Sequence, residues 1–555
     1  VGMAMAARYE RGLFDPENAG VSPFDHNIWV ICSDGDLQEG VSAEASSLAG
    51  VQKLGNLKVI YDDNRISIEG DTHLAFNEDV SMRYKSYGWN VIEVAAMGDG
   101  DVDRDALEKA MDGAVSEEDK PTLIRLKTVI AWPAPALQNT AKSHGSALGA
   151  EEVAATKKVL GLDPEVHFYF PSEVENHVRA VKTRGAALKV QWQKNFDLWR
   201  KNNQERANLL QRLQLKELPA NWEEALPTFA IEKEIATRKA SGDTIQALAS
   251  KFPEFWGGSA DLAESNNTTI DGGGSFLPSS SKMKGASPYG RIIHFGIREH
   301  AMGSILNGIA LHGLARGFGG TFLVFSDYMR GAVRLAALMK LPVTFIWSHD
   351  SIGLGEDGPT HQPIEHIASL RAIPGLDVIR PADANEVVAC WLEIIKRDKA
   401  AGLLLSRQNL PVIDRSLYKS TAEVGRGAYA LNEVSSPDVL IIASGSEVSI
   451  ALKASEELAQ KGLKARVISA PCLEWYREQE QGYKDLLMPK SVKARVSVEA
   501  GIAQGWHEFI GDSGVAISLE HYGASASAPV LFKEFGFTTE AVVKACQESI
   551  SKSSK

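Results

Sequence analysis

A strand, a tight polar turn, a helix and a second strand follow one another between Ile28 and Asn64, and this order leaves few folds open. Ile28, Trp29, Val30 and Ile31 read as a buried strand, and Ser33-Asp34-Gly35 turns at its end into a helix starting near Gln38. Leu57 to Tyr61 reads as the second strand and delivers Tyr61-Asp62-Asp63-Asn64-Arg65-Ile66 at its end. In a parallel βαβ unit, Asp34 and Asn64 emerge at the carboxyl ends of neighbouring strands, where such sheets bind ligands. A carboxylate, an amide oxygen and a nearby backbone carbonyl form an all-oxygen set suited to Mg²⁺ or Ca²⁺. The helix N-terminus beside them favours an anion. The combination predicts a metal-bridged diphosphate cofactor. An EF-hand fails, because the sixth position of a loop starting at Asp34 is Glu39, where a glycine is needed. A purely structural use, with Asp34 capping its helix and Asn64 forming an Asx turn, stays open.

The alternation continues along the chain. Trp89–Val94 and Thr122–Ile130 read as further buried strands, separated by helical stretches such as 104–115, so a parallel sheet covered on both faces is expected. A long polar helix follows, roughly 173 to 213, with Leu188, Trp192, Phe196 and Trp199 as an apolar stripe on a charged rod. A coiled coil or calmodulin-type target is conceivable, but a connector docked through its Trp/Phe face is the plainer reading. A second α/β block begins near Ala230, with strand-like runs at 255–259, 291–295, 320–325 and 343–347, and a third near Gly425, with runs at 439–443, 465–469 and 494–498. The expected fold is therefore α/β, with three consecutive domains of mostly parallel, doubly wound sheets. Their expected limits are 1–172, 226–420 and 421–555, with a helical connector at 173–225.

At 555 residues, three or so domains agree with the usual length of about 100–200 residues per domain. An apolar share of 44% beside 23% charged residues gives ample material for large cores, and the net charge of −12 argues against nucleic acid as a partner. Four scattered cysteines, without CxxC, argue against a disulfide framework or structural zinc and suit a reducing cytoplasm. No run approaches the roughly 18 apolar residues of a membrane span. Val1 to Tyr9 reads as the middle of a packed helix, so the chain is expected to begin inside a domain.

Ser33-Asp34-Gly35-Asp36-Leu37-Gln38-Glu39-Gly40 and Tyr61-Asp62-Asp63-Asn64 resemble the thiamine-diphosphate motif of transketolases. The likeness extends through Gly257-Gly258-Ser259-Ala260-Asp261-Leu262, Phe295-Gly296-Ile297-Arg298-Glu299-His300 and the unbroken run His349-Asp350-Ser351-Ile352-Gly353-Leu354-Gly355-Glu356-Asp357-Gly358-Pro359-Thr360-His361-Gln362-Pro363. The first motif alone is shared across thiamine-diphosphate enzymes, whereas the last is specific to the transketolase group. The resemblance implies a thiamine-diphosphate-binding fold with a C-terminal α/β domain. It also implies transfer of a two-carbon glycolaldehyde unit between sugar phosphates of the pentose phosphate pathway.

By that resemblance, Asp34, Asn64 and the Ile66 carbonyl hold Mg²⁺ or Ca²⁺. Gly35 and Glu39 lie at the diphosphate, and Ile68 and Ile130 pack on the thiazolium. Asp261 belongs to the cofactor set, and Phe322, Phe325 and Tyr328 surround the aminopyrimidine, although such a stripe taken alone is an ordinary core pattern. Glu299 meets the aminopyrimidine and drives proton loss from the thiazolium; on its own it reads as a solvated or salt-bridged residue. His144 and His361 are expected at the reacting atoms and Asp357 at a sugar hydroxyl. Arg238, Ser265, His349 and Arg407 match the binders of the substrate's terminal phosphate. Catalysis is expected in a homodimer with active sites at the subunit interface.

Gly353-x-Gly355-x-x-Gly358 also fits a dinucleotide fingerprint, but Glu356 and Asp357 would sit in the pyrophosphate turn, so that reading is rejected. Other thiamine enzymes are the closest rivals, and they lack the 349–363 run. A catalytically silent dimerisation or binding form is the rival of another class. Transketolases continue upstream for on the order of a hundred residues, so weakened cofactor binding is expected of this chain.

Overall fold

The computed structural model describes residues 1–17 and 20–554. They fall into two compact units, 1–217 with 276–290, and 218–275 with 291–554.

The first unit is built on four parallel strands: β1 (Ile28–Ser33), β2 (Leu57–Asp63), β3 (Asn90–Val94) and β4 (Thr122–Lys127). Their order is β1-β2-β4-β3, with Ser33 beside Asp62 and Asp63 beside Lys127. The strand expected to run to Ile130 stops at Lys127, whereas the helix expected from near Gln38 runs Gly40–Val51, preceded by a separate short helical turn, Asp34–Gln38. That short turn has a local cause: Asp36 accepts a hydrogen bond from the Ser33 N–H at 2.8 Å, half of a capping box with Ser33. Strand β1 corrects a second expectation. It is not buried; Ile31 is 78% exposed, and Trp29 and Val30 are exposed as well. It pairs on one side only, and four consecutive apolar residues cannot distinguish an edge strand from a central one.

The polar helix is two helices, Ser172–Asn202 and Gln204–Gln214, broken at Asn203. Its aromatic face docks. Trp199 is buried, donates its indole N–H to the Phe14 carbonyl at 3.0 Å and stands edge-on to Phe24 at 4.7 Å. Trp192 donates to the Pro23 carbonyl at 2.9 Å, whereas Leu188 points to solvent. Trp199→Ala is expected to cost about 3–5 kcal/mol, the usual loss for an emptied aromatic site, read as an earlier first transition in urea.

The second unit holds two large sheets and a two-stranded antiparallel ribbon, Glu234–Ala236 with Asn409–Pro411. Strands β5 (Phe255–Ser259), β6 (Ile292–His294), β7 (Arg316–Phe322), β8 (Thr344–Ser348), β9 (Asp377–Ile379) and β10 (Ala401–Leu405) are parallel in the order β9-β10-β8-β7-β5-β6. Gly257 and Gly258 are dictated by close packing inside it, since a Cβ on either would run into the carbonyl of Phe318 or Ile293. Strands β11 (Tyr429–Ala430), β12 (Val439–Ala443), β13 (Ala465–Ser469), β14 (Arg495–Val498) and β15 (Val515–Ile517) form the other sheet, in the order β11-β13-β12-β14-β15. Only β11 runs antiparallel to its neighbour there. One apolar core runs through both sheets, from Phe255 and Trp391 to Ile441 and Trp475. The architecture is α/β with mostly parallel sheets, as expected. Among the described residues, no helix is long and apolar enough to cross a membrane.

Candidate active site

The first unit gathers the expected diphosphate and metal residues at the carboxyl ends of β1 and β2. Asp34 is 1% exposed and makes no ion pair among the described residues. Tyr61 donates its hydroxyl to Asp34 Oδ1 at 2.7 Å, and the Arg65 N–H donates to Oδ2 at 3.0 Å. Burial raises the Asp34 carboxyl above the ordinary aspartate range, and these two donors oppose that rise. The local cations go elsewhere: Arg125 and Lys127 both reach Asp63 at 2.6 Å, and Arg65 lies 3.8 Å from it.

Asn64 Oδ1 accepts from the Ile66 N–H at 3.0 Å, and its Nδ2 donates to Asp62 at 3.1 Å, which points the amide oxygen back towards the turn. The Asx turn at Asn64 is therefore present, but Asp34 does not cap its helix: Ser33 is the N-cap, boxed with Asp36, and the Asp34 carboxylate is taken by Tyr61 and Arg65. A buried carboxylate lacking a cation, beside an amide oxygen and a carbonyl, fits a hard divalent ion. No atom lies within 4 Å of where a Gly35 Cβ would stand, so the backbone there is open to a ligand. Glu39 and Ile68 are exposed, Ile68 by 81%, and Ile130 is half-buried. His144 is half-buried, and its Nδ1 is enclosed without a hydrogen-bond partner.

The second unit brings its expected residues together at the carboxyl ends of five parallel strands. Asp261, exposed and left-handed at φ 63°, follows β5, and half-buried Glu299 opens the helix Glu299–His312 after β6. After β7, the Phe322 and Phe325 rings lie nearly parallel with centroids 5.7 Å apart, and Tyr328 continues the row at 6.0 Å from Phe325. His349, after β8, stacks on Phe322 at 3.6 Å, and His361 stands edge-on to Phe325 at 5.6 Å. The aromatic row is thus a floor under two histidines. Asp357 is exposed on the loop that carries His361.

Arg407 follows β10, and Arg238 donates to the Ser265 carbonyl at 2.7 Å. Burial and the neighbouring Arg407 both weaken the hold of Arg238 on its proton, as expected where two cations stand close together. Burial, helped by the same two arginines, pushes His349 down to about 3, so its ring is neutral at pH 7. A chain of hydrogen bonds fixes its tautomer. Ser348 donates to Asn266 Oδ1 at 2.6 Å, so the Ser348 oxygen accepts from His349 Nδ1 at 2.8 Å. The positive charge for an anion therefore comes from Arg238 and Arg407.

Sequence reasoning passed over Tyr61, Asn266 and Ser348, which orient Asp34 and His349. Tyr61 lies inside a quoted motif but was given no role, Ser348 borders the run starting at His349, and Asn266 joins only through tertiary structure.

Comparison with known proteins places these two halves in one family. Residues 1–219 match the transketolase thiamine-diphosphate-binding domain, 233–412 the transketolase pyrimidine-binding domain, and 427–538 the transketolase-like C-terminal domain. The transketolase of Mycobacterium tuberculosis is 53% identical over 99% of this chain and 79% of its own length. That of Geobacillus stearothermophilus is 43% identical over 100% of this chain and 81% of its own. Among solved structures, Pichia stipitis transketolase in complex with sedoheptulose 7-phosphate superposes with a TM-score of 0.93 at 40% identity, covering 99% of this chain and 80% of that one. Leishmania mexicana transketolase gives a TM-score of 0.93 at 39% identity, covering 99% and 79%. The motifs, the fold and these likenesses over nearly the whole of this chain agree, and the chain belongs to the transketolase family.

Proposed function

We propose that this transketolase carries a two-carbon glycolaldehyde unit from a ketose phosphate such as xylulose 5-phosphate to an aldose phosphate such as ribose 5-phosphate, a step of the pentose phosphate pathway. The observation that carries the substrate class is the pair Arg238 and Arg407 close to His349 and His361, two cations suited to an anion. When bound, thiamine diphosphate supplies a nucleophilic carbon able to hold the two-carbon unit.

Asp34, Asn64 and the Ile66 carbonyl would hold Mg²⁺ or Ca²⁺ against the diphosphate, with Gly35 and Glu39 beside it. Ile68 and Ile130 would offer apolar surface to the thiazolium, and Asp261 would help hold the cofactor. Phe322, Phe325 and Tyr328 would receive the flat aminopyrimidine. Glu299 would share a proton with a nitrogen of that ring. Arg238, Arg407, Ser265 and His349 would hold the sugar's terminal phosphate, and Asp357 a hydroxyl. His361 would move a proton at a substrate hydroxyl, and His144 would act at the thiazolium and substrate.

The reading includes a homodimer in which Glu299 of one copy serves the cofactor held by the other. Ile297 and Tyr328, 77% and 67% exposed and close to Glu299 and the aromatic row, are surface of the kind such an interface covers. Four free cysteines suit a cytoplasmic setting.

Arg238→Ala is expected to raise the KM for a phosphorylated ketose about 10- to 100-fold, as befits the loss of a charge-assisted contact. The KM for the same sugar without its phosphate should stay unchanged. Steady-state kinetics with the two donors checks this, and an equal loss for both would contradict the phosphate role.

A further inference from the structure

The loop 349–363 carries Asp357 and His361, yet only three of its fifteen positions lie in regular structure, the short 3₁₀ turn Ile352–Leu354. What holds it comes from far along the chain. At its start, Asp350 takes the Arg380 Nε–H at 2.8 Å, and Arg380, wholly buried, also bonds Glu447 and the Ser444 carbonyl at 3.0 Å. Glu499 completes that cluster by taking Arg371 in a fork at 2.7 and 2.9 Å. Ser444-Gly445-Ser446-Glu447 is thus one wall of a buried ionic lock.

At the loop's other end stands Gln362, 2% exposed. Its Nε2 donates at 3.0 Å to the Gly355 carbonyl, within the loop, and at 2.9 Å to the Ala524 carbonyl, in the C-terminal segment 521–527. Both partners only accept, which fixes the amide orientation. The fit is tight on both sides. A Cβ on Gly523 would collide with the Gln362 side chain, and one on Gly358 with Ser525.

We infer that Gln362 is a positioning residue: by tying the loop to the C-terminal segment, it fixes the backbone that presents His361 to the substrate. The C-terminal sheet thereby acts on catalysis without touching a reactant. The His361 ring has local supports, Thr360 Oγ1 at 2.9 Å and the Phe322 and Phe325 rings, and its backbone N–H donates to the Gly358 carbonyl at 3.0 Å, but that bond lies inside the loop and moves with it. The inference rests on the reading above that His361 moves a substrate proton.

The test is a cycle of Gln362→Met and His361→Ala in the cofactor-loaded full chain. Methionine keeps the volume and removes both donors. Gln362→Met is expected to lower kcat at least about tenfold, with KM for the phosphorylated ketose within about threefold and cofactor affinity unchanged, as displacement of a positioned group predicts. In the His361→Ala background the same change should cost less than about twofold, because nothing is left to position. Gly523→Ala, pressing on the same amide from the C-terminal side, should reproduce the loss if Gln362→Met does not fold. An equal loss in both backgrounds would overturn the inference while sparing the reading of His361. A His361→Ala enzyme with unchanged kcat would overturn that reading and the inference with it.

Discussion

Replacing Asp34 with alanine is expected to abolish saturable binding of thiamine diphosphate with Mg²⁺ in a calorimetric titration. Asp34 is the one carboxylate in a donor set otherwise made of an amide and a carbonyl oxygen. Changes just behind a metal's ligands already cost 10- to 100-fold in affinity, so losing the carboxylate itself should exceed about 100-fold. The substitution also strands the Tyr61 hydroxyl and the Arg65 N–H, which costs about 1–3 kcal/mol for each buried donor left unpaired. Asp34→Asn separates the two effects. It keeps an acceptor for Tyr61 and removes the charge, so it should fold like the parent and still bind far more weakly. Binding of parental strength by Asp34→Asn would mean that no cation is held there.

The second large effect is expected at Glu299. Its place at the first turn of the helix Glu299–His312, after β6, puts a half-buried carboxyl beside the strand end that leads into the site. If it exchanges a proton with the cofactor's aminopyrimidine, Glu299→Gln should lower kcat by about 10²- to 10⁴-fold, the range for removing a general acid–base group. Cofactor affinity should change far less, because the diphosphate and metal contacts lie on other residues. Exchange of the thiazolium proton with deuterated solvent, followed by NMR on the bound cofactor, should slow by a comparable factor. Unchanged exchange beside a lower kcat would assign Glu299 to substrate binding instead.

What the sequence revealed follows the range of the interactions concerned. Strands β12 and β13 lie where their buried apolar runs put them, because a strand covered on both faces writes its limits into five consecutive residues. The edge position of β1 was hidden because residues 28–31 carry the same kind of run, and pairing partners are not a local property. The extra helical turn Asp34–Gln38 ahead of the helix Gly40–Val51 comes from one side-chain cap, Asp36 to Ser33, that hydrophobic spacing does not register. The candidate site was readable where its residues share a motif, as Asp34 and Asn64 do within one βαβ unit. His349 and His361 lie twelve positions apart, yet only tertiary structure shows both on the Phe322–Phe325 floor. Gln362 and Glu447 were passed over because their partners lie 162 and 67 residues away, and an amide or a carboxylate in isolation does not announce a distant partner.

Isotope tracing of the transferred carbons tests the central claim most directly. The chain, supplied with thiamine diphosphate and Mg²⁺, would receive a ketose phosphate labelled with ¹³C at its first two carbons, together with an unlabelled aldose phosphate. The account predicts that both labelled carbons appear, still bonded to each other, at the head of a ketose phosphate two carbons longer than the acceptor. Bound cofactor with the label left in the donor, or carried away on a fragment of any other length, would contradict it.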